Sequence, residues 1–329
     1  MHHSGLDRRL LVLTDGHSQW RLTMERIEWG GWPNCVRLTS GAIDLIATTD
    51  VGPRVLFLGA RGGRNLMGVN EEQLGQVGGD TWRIYGGHRL WHAPEAMPRS
   101  YAPDNFPVTA EAIDGGVRLS QEAEALTGIR KEIEITTGKK PGTFHLRHRL
   151  INTGQWAVEC APWALTVMAP GSEAFLPHVP YAPHPDALLP AGPLVLWPYT
   201  NMSDSRFTWG ERLIRLRHDA SATGALKLGM RNANGWAACR NGAWWFIKQY
   251  PFDPNATYPD FGSNVEMFSN PAILEVESLG PLTKLEPVGG MVEHEEVWTV
   301  IEHQSGRKTE TDEEVLAVVK GVLPSIAVQ

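Results

Sequence analysis

The chain has 329 residues, enough for two domains or one large β-architecture, and enough to bury a core without a disulfide or metal staple. Hydrophobic residues make up 42% and charged residues 20%, which excludes global disorder, and 30 Lys+Arg against 37 Asp+Glu, a net charge of −7, argues against a nucleic-acid partner. No apolar stretch reaches the ~18 residues of a membrane helix, residues 10–13 are too short an apolar patch for a signal-peptide core, and the scattered Cys35, Cys160 and Cys239 point to reduced thiols, so a cytoplasmic protein with no membrane partner is expected.

Period-two alternation marks strands along the whole chain. In order they fall at 35–40, 42–49, 53–59, 106–113, 116–123, 129–136, 144–150, 157–168, 192–198, 212–218, 225–229, 235–240, 243–249, 272–279 and 291–302. With 34 Gly and 23 Pro punctuating the chain, few stretches are left for helices, so an antiparallel all-β fold is expected. One helix is expected at 311–322, where Thr311 and Glu314 form a capping box ahead of Val315, Leu316, Val318 and Val319. The proline-rich stretch 177–198 also holds Phe175-adjacent apolar matter such as Leu188, Leu189 and Trp197, and reads as an ordered loop packed over a sheet rather than a linker. Residues 1–329 are therefore read as one domain, its core at about 30–303.

Three segments concentrate chemistry. In 82–95, Tyr85, His88, Arg89, Trp91, His92 and Glu95 surround Gly86-Gly87, a pair that lets the backbone bend sharply and its flanking side chains converge. His88 and His92 have metal spacing only on a helix, which Gly86-Gly87 and Pro94 disfavour; no metal is expected. In 273–281, Glu275 and Glu277 share one face of a strand with Ile273 and Leu279, so partial burial should raise at least one carboxyl and poise it as a base. In 244–266, Lys248 stands in an aromatic run, followed by Asp260 and Glu266, a mixture suited to a polyhydroxylated ligand; His178 on the proline-rich stretch is a further candidate. Phosphate-loop, nucleophile-elbow, Cys-x-x-Cys and His-Glu-x-x-His patterns are absent, and no cofactor is expected.

The chain resembles the galactose mutarotase-like (aldose 1-epimerase) superfamily over roughly residues 30–303. Tyr85-Gly86-Gly87 sits where the aldose epimerases carry His-Gly-Gly; Leu274-Glu275-Val276-Glu277 resembles their catalytic glutamate strand; Leu285 to Gly289 and Glu296 to Trp298 resemble their closing strand. The resemblance implies an antiparallel β-supersandwich with a short C-terminal helix and a sugar cleft. It also implies a Glu base, which Glu275 inherits by position, and a His acid. The family histidine segment is replaced here by Ala161-Pro162-Trp163-Ala164-Leu165-Thr166, which leaves His88 or His92 as the acid. Tyr85, Arg89, Trp91, Glu95, His178, Lys248, Asp260, Glu266 and Glu277 are the expected substrate contacts. A sugar or sugar acid is the expected partner, turned over by an epimerase. A non-catalytic carbohydrate binder and a saccharide lyase or hydrolase are the competing readings.

Overall fold

Alternating side chains give a strand two faces, and here nearly every strand finds a layer for each. The computed structural model describes residues 24–179, 182–303 and 311–323. Its strands pair antiparallel throughout and form two sheets, of eleven and ten strands. The middle of the first sheet runs Arg54–Ala60, His88–Ala93, Val158–Met168, Leu274–Leu279, Val265–Ser269, Leu226–Met230. The middle of the second runs Glu173–Pro177, Trp236–Asn241, Trp244–Gln249, Gly290–Glu302, Thr143–Asn152, Ile129–Thr137. Between the sheets lies the main core, with Leu90, Leu274 and Val276 from the first and Ile133, Leu146, Phe246 and Trp298 from the second.

The expected all-β sandwich and its one long helix are both present. The helix Asp312–Val322 has Thr311 as N-cap, with the capping box to Glu314 closed in both directions. Its Val315, Leu316, Val318 and Val319 bury against Phe175, Trp236, Trp245 and Ile247, so the helix covers the outer face of the second sheet. No helix among the described residues is long and apolar enough to cross a membrane. The three cysteines are free and buried, and burial pushes their thiols up to about 11 (Cys35, Cys160) and 12 (Cys239).

Two expectations change. The segment around Gly86-Gly87 is not a ligand loop: His88–Ala93 is a central strand, and six residues between a Gly pair and a proline suffice for it. Gly86 and Gly87 have positive φ, and a Cβ there would meet Gly68 O at 2.2 Å and Val55 O at 2.0 Å, so the pair is demanded by close backbone packing. The proline-rich stretch, apart from residues 180–181, which lie outside the described residues, packs over a sheet only at its end, where Trp197 covers Lys227. It supplies only the short edge strand Leu194–Leu196, with Leu188 and Leu189 exposed.

Removing the Thr311 hydroxyl leaves the Glu314 N–H without its cap. Thr311→Ala should lower unfolding free energy by about 1 kcal/mol, read as a shift of the urea midpoint at constant m.

Candidate functional site

The outer face of the first sheet, opposite the main core, carries charge. Register places Arg89, Leu165, Glu277 and Glu266 in one row across four strands, with Val167, Glu275, Phe268 and Lys227 in the next. Glu277 and Glu266 stand directly opposite each other, an arrangement that repels. Lys227 resolves it: its Nζ lies 2.7 Å from Glu266 Oε2 and 3.0 Å from Glu277 Oε2, over the rings of Trp163 and Trp197 at 4.4 and 4.8 Å. Trp163 Nε1 donates to Glu277 Oε2 at 2.7 Å. On the other side Arg89 Nη2 donates to Glu275 Oε1 at 3.2 Å and its guanidinium lies over Trp91 at 4.7 Å.

Aromatic rings wall the carboxylates. Trp82, Trp91, Trp163 and Tyr101 form a chain of edge-to-face contacts with centroids 5.1 to 5.8 Å apart, and Tyr101 OH donates to Glu95 at the exposed rim. Asp260 and the exposed Phe261 both hold positive φ, 49° and 57°, and Asp260 lies beside Glu266. Two consecutive non-glycine residues in the left-handed region are strain stored next to the acids.

Burial sets the protonation states. Glu275 is pushed up to about 6 by desolvation, with Arg89 opposing and Glu277 adding to the rise. Desolvation, with Glu277 and Asp260 beside it, outweighs Lys227 and lifts Glu266 well above the carboxylate range. Burial pulls Lys227 down, but Glu266 and Glu277 more than offset this and hold it as a cation. Desolvation also raises Asp260. The site thus holds both a carboxyl poised to accept a proton near neutrality and one that retains its own.

Of the expected site residues, the structure brings together Glu275, Glu277, Arg89, Trp91, Glu95, Asp260 and Glu266. Five others, Tyr85, His178, Lys248, His92 and His88, lie elsewhere. Tyr85 is buried against Trp32 (ring centroids 5.8 Å), with its OH bonded to Gln76 O. His178 is exposed at the end of Glu173–Pro177 in the second sheet, and its Nδ1 bonds Val179 O. Lys248 is buried between the sheets, 2.9 Å from Glu296 Oε1. His92 lies on the inner face, between Glu124 (3.3 Å) and Arg99 (2.6 Å). Strand parity decides the histidines: in His88–Ala93 the odd positions Arg89 and Trp91 face the glutamates, so His88 and His92 face away. No histidine faces Glu275 among the described residues. Lys227, Trp163, Trp82, Tyr101 and Trp197 were not foreseen; a lone cation inside the apolar strand Leu226–Met230 was the available signal for Lys227.

His88 instead joins a closed polar network in the core. His148 Nδ1 donates to His294 O at 3.0 Å, so neutral His148 accepts at Nε2 from His88 Nε2, 2.7 Å away, and Thr166 Oγ1 donates to His88 Nδ1 at 2.8 Å. His294 Nε2 donates to Ser278 Oγ (2.7 Å), which donates to Glu296 Oε1 (2.5 Å), while Trp298 Nε1 donates to Glu296 Oε2 (2.7 Å). His88, His148 and Glu296 present ligand-type atoms within 4.8 Å of one another. The facing nitrogens of His88 and His148 are nonetheless bonded to each other, and Lys248 already supplies Glu296 with a cation.

The antiparallel two-sheet sandwich with one short C-terminal helix is the galactose mutarotase-like fold. No family model matches the chain, and no curated protein matches it in sequence. Solved structures share the fold. They include a candidate aldose 1-epimerase from Klebsiella pneumoniae (TM-score 0.53, 11% identity, 91% of this chain and 86% of that one). A galactose mutarotase-like protein from Lactobacillus casei gives 0.50 and 12%, covering 82% and 100%. A TPR-domain containing protein from Parabacteroides distasonis gives 0.55 and 14%, covering 85% of this chain but only 50% of its own length. At such identities the likeness is one of fold.

The core histidines titrate with a definite sign. Burial lowers His88 and His148 and brings His294 down to about 3, so all three stay neutral when folded and protonate below about 6.5 only when unfolded. Stability present above pH 6.5 is lost as pH falls. His294 alone should cost about 2 kcal/mol by pH 5, measured as the urea midpoint against pH.

Proposed function

We propose that the outer face of the first sheet binds a saccharide, and that Glu275 removes a proton from it in an epimerase-type reaction at the anomeric centre. The observation that carries this is the row of buried carboxyls, Glu275, Glu277 and Glu266, held by Arg89 and Lys227 and walled by Trp91 and Trp163. Aromatic rings pack on the C–H faces of a sugar while carboxylates take its hydroxyl protons. The shared fold with a Klebsiella protein regarded as a candidate aldose 1-epimerase supports the reading.

Glu275 is the base: its neighbour Arg89 orients it, and a conjugate acid near 6 matches proton abstraction at neutral pH. The acid in this reading is Glu266, a carboxyl that burial keeps protonated, rather than a histidine. Proton transfer to the base frees the anomeric oxygen as the ring opens, the acid protonates the ring oxygen, and rotation before closure inverts the anomer.

Glu275→Gln keeps shape and an acceptor but cannot take a proton. Anomer exchange followed by NMR across a panel of aldoses should slow by about 10²–10⁴-fold while sugar binding persists. Glu277→Gln is the control for the neighbouring carboxylate. Because the base must be ionised, kcat/KM for the wild-type protein should rise tenfold per unit as pH increases towards about 6 and level off above it. A profile flat between pH 5 and 7 would remove Glu275 as the base. Since no histidine faces Glu275 among the described residues, a binder without turnover is the second reading. Measurable binding with no acceleration over buffer for any sugar selects it.

A further inference from the structure

Five carboxyls gather at this site, those of Glu95, Asp260, Glu266, Glu275 and Glu277; with Glu266 keeping its proton, four carboxylates stand against the two cations Arg89 and Lys227. Both cations are already engaged: Arg89 with Glu275, Lys227 with Glu266 and Glu277. Among the described residues neither Glu95 nor Asp260 has a salt-bridge partner; Glu95 accepts from Tyr101 OH, and Asp260 lies against the Glu266 carboxyl. A ligand bearing a carboxylate or phosphate would enter a field of its own sign.

The unfilled hydrogen-bonding capacity is of both kinds, acceptor and donor. Glu277 is 0% exposed and its Oε1 has no hydrogen-bond partner among the described residues, although Oε2 takes two donors. Arg89 is 2% exposed, and its Nε and Nη1 are likewise without partners. A buried acceptor left unmatched costs free energy, and a donor from the ligand recovers it. A ring hydroxyl serves Arg89 as acceptor, and an ammonium with three donors serves the carboxylates. Lys227 packs between Trp163 and Trp197 and cannot be displaced as a mobile counter-ion could. The surplus charge therefore has to be met from outside.

Resting on the saccharide reading above, we propose that the ligand is an amino sugar: a hexose carrying a free ammonium group, recognised by Asp260 and Glu95 at the rim of the Glu277 and Glu266 carboxyls. A sugar acid or sugar phosphate is rejected by the same field. The fixed cations Arg89 and Lys227 also set the site apart from a divalent-cation cage, which gathers oxygen ligands without ammonium or guanidinium groups among them.

The test is a binding panel on the wild-type protein at pH 6.5, read by tryptophan fluorescence and calorimetry. It compares glucosamine, galactosamine and mannosamine with their parent hexoses, their N-acetyl derivatives and glucuronate. The best amino sugar should bind about tenfold more tightly than its parent, the gain should vanish on N-acetylation and shrink as salt rises, and glucuronate should bind more weakly than glucose. Asp260→Asn suits the left-handed backbone at that position, and with Glu95→Gln it should bring the amine-to-hydroxyl affinity ratio towards one. Parent hexoses binding as well as their amines, glucuronate binding best, or amine binding that requires added Ca²⁺ would each overturn the inference while leaving a sugar site intact. No binding by any member of the panel would instead overturn the saccharide reading itself.

Discussion

Three neighbouring strands, His88–Ala93, Val158–Met168 and Leu274–Leu279, carry hydrogen-bonding or charged groups on both faces, and the organisation of the molecule follows from that. A pleated strand sends alternate side chains to opposite sides, so each face must be closed by its own layer. The inner face meets the second sheet and buries His88, Thr166 and Ser278 in a network anchored by the Lys248–Glu296 pair. Among the described residues the outer face is closed by loops and aromatic rings, which lie over the acids.

The two faces treat buried charge differently. Inside, Glu296 accepts from Ser278 and Trp298 and pairs with Lys248, which holds its carboxyl far below the usual range despite full burial. Such a pair adds little net stability, yet losing one partner would strand the other charge; both lie in the second sheet, and Lys248 Nζ also donates to Ala164 O and Val276 O of the first. Outside, carboxyls outnumber cations, and Glu275 and Glu266 are raised rather than lowered. Glu277 Oε1 and two Arg89 nitrogens are left without partners among the described residues of that outer face.

Glycine and strain mark the boundary between these layers. Gly229 lies opposite Glu266 in the strand pairing, and a Cβ there would meet Ser263 Oγ at 2.6 Å and Trp197 at 3.3 Å, so the small residue lets Trp197 close over Lys227. The left-handed Asp260 and Phe261 follow directly on the Tyr258–Pro259 entry and are held by Ser263, whose N–H bonds Pro259 O and whose hydroxyl bonds Asp260 O. The strain therefore sits where the chain turns an acid towards the carboxyl row.

Local pattern alone determined most of the strands, the capped helix at Asp312–Val322, the shared face of Glu275 and Glu277 and the rise of a carboxyl there, because alternation, capping and like-charge proximity act within a few residues. His88–Ala93 escaped that pattern, as did Met24–Trp29, Glu173–Pro177, Phe207–Trp209, Val265–Ser269 and Thr283–Leu285, all six residues or shorter. With the first of them went the parity that turns His88 and His92 inward and Arg89 outward, since a one-residue ambiguity in a strand exchanges its faces. Lys248 and Lys227 read alike as single cations in apolar strands, yet one pairs with Glu296 inside the core and the other serves Glu266 and Glu277. Only the stacking of the sheets distinguishes them. Arg89 and Glu275, 186 positions apart, close to a 3.2 Å hydrogen bond through strand order, a long-range property that no local spacing encodes.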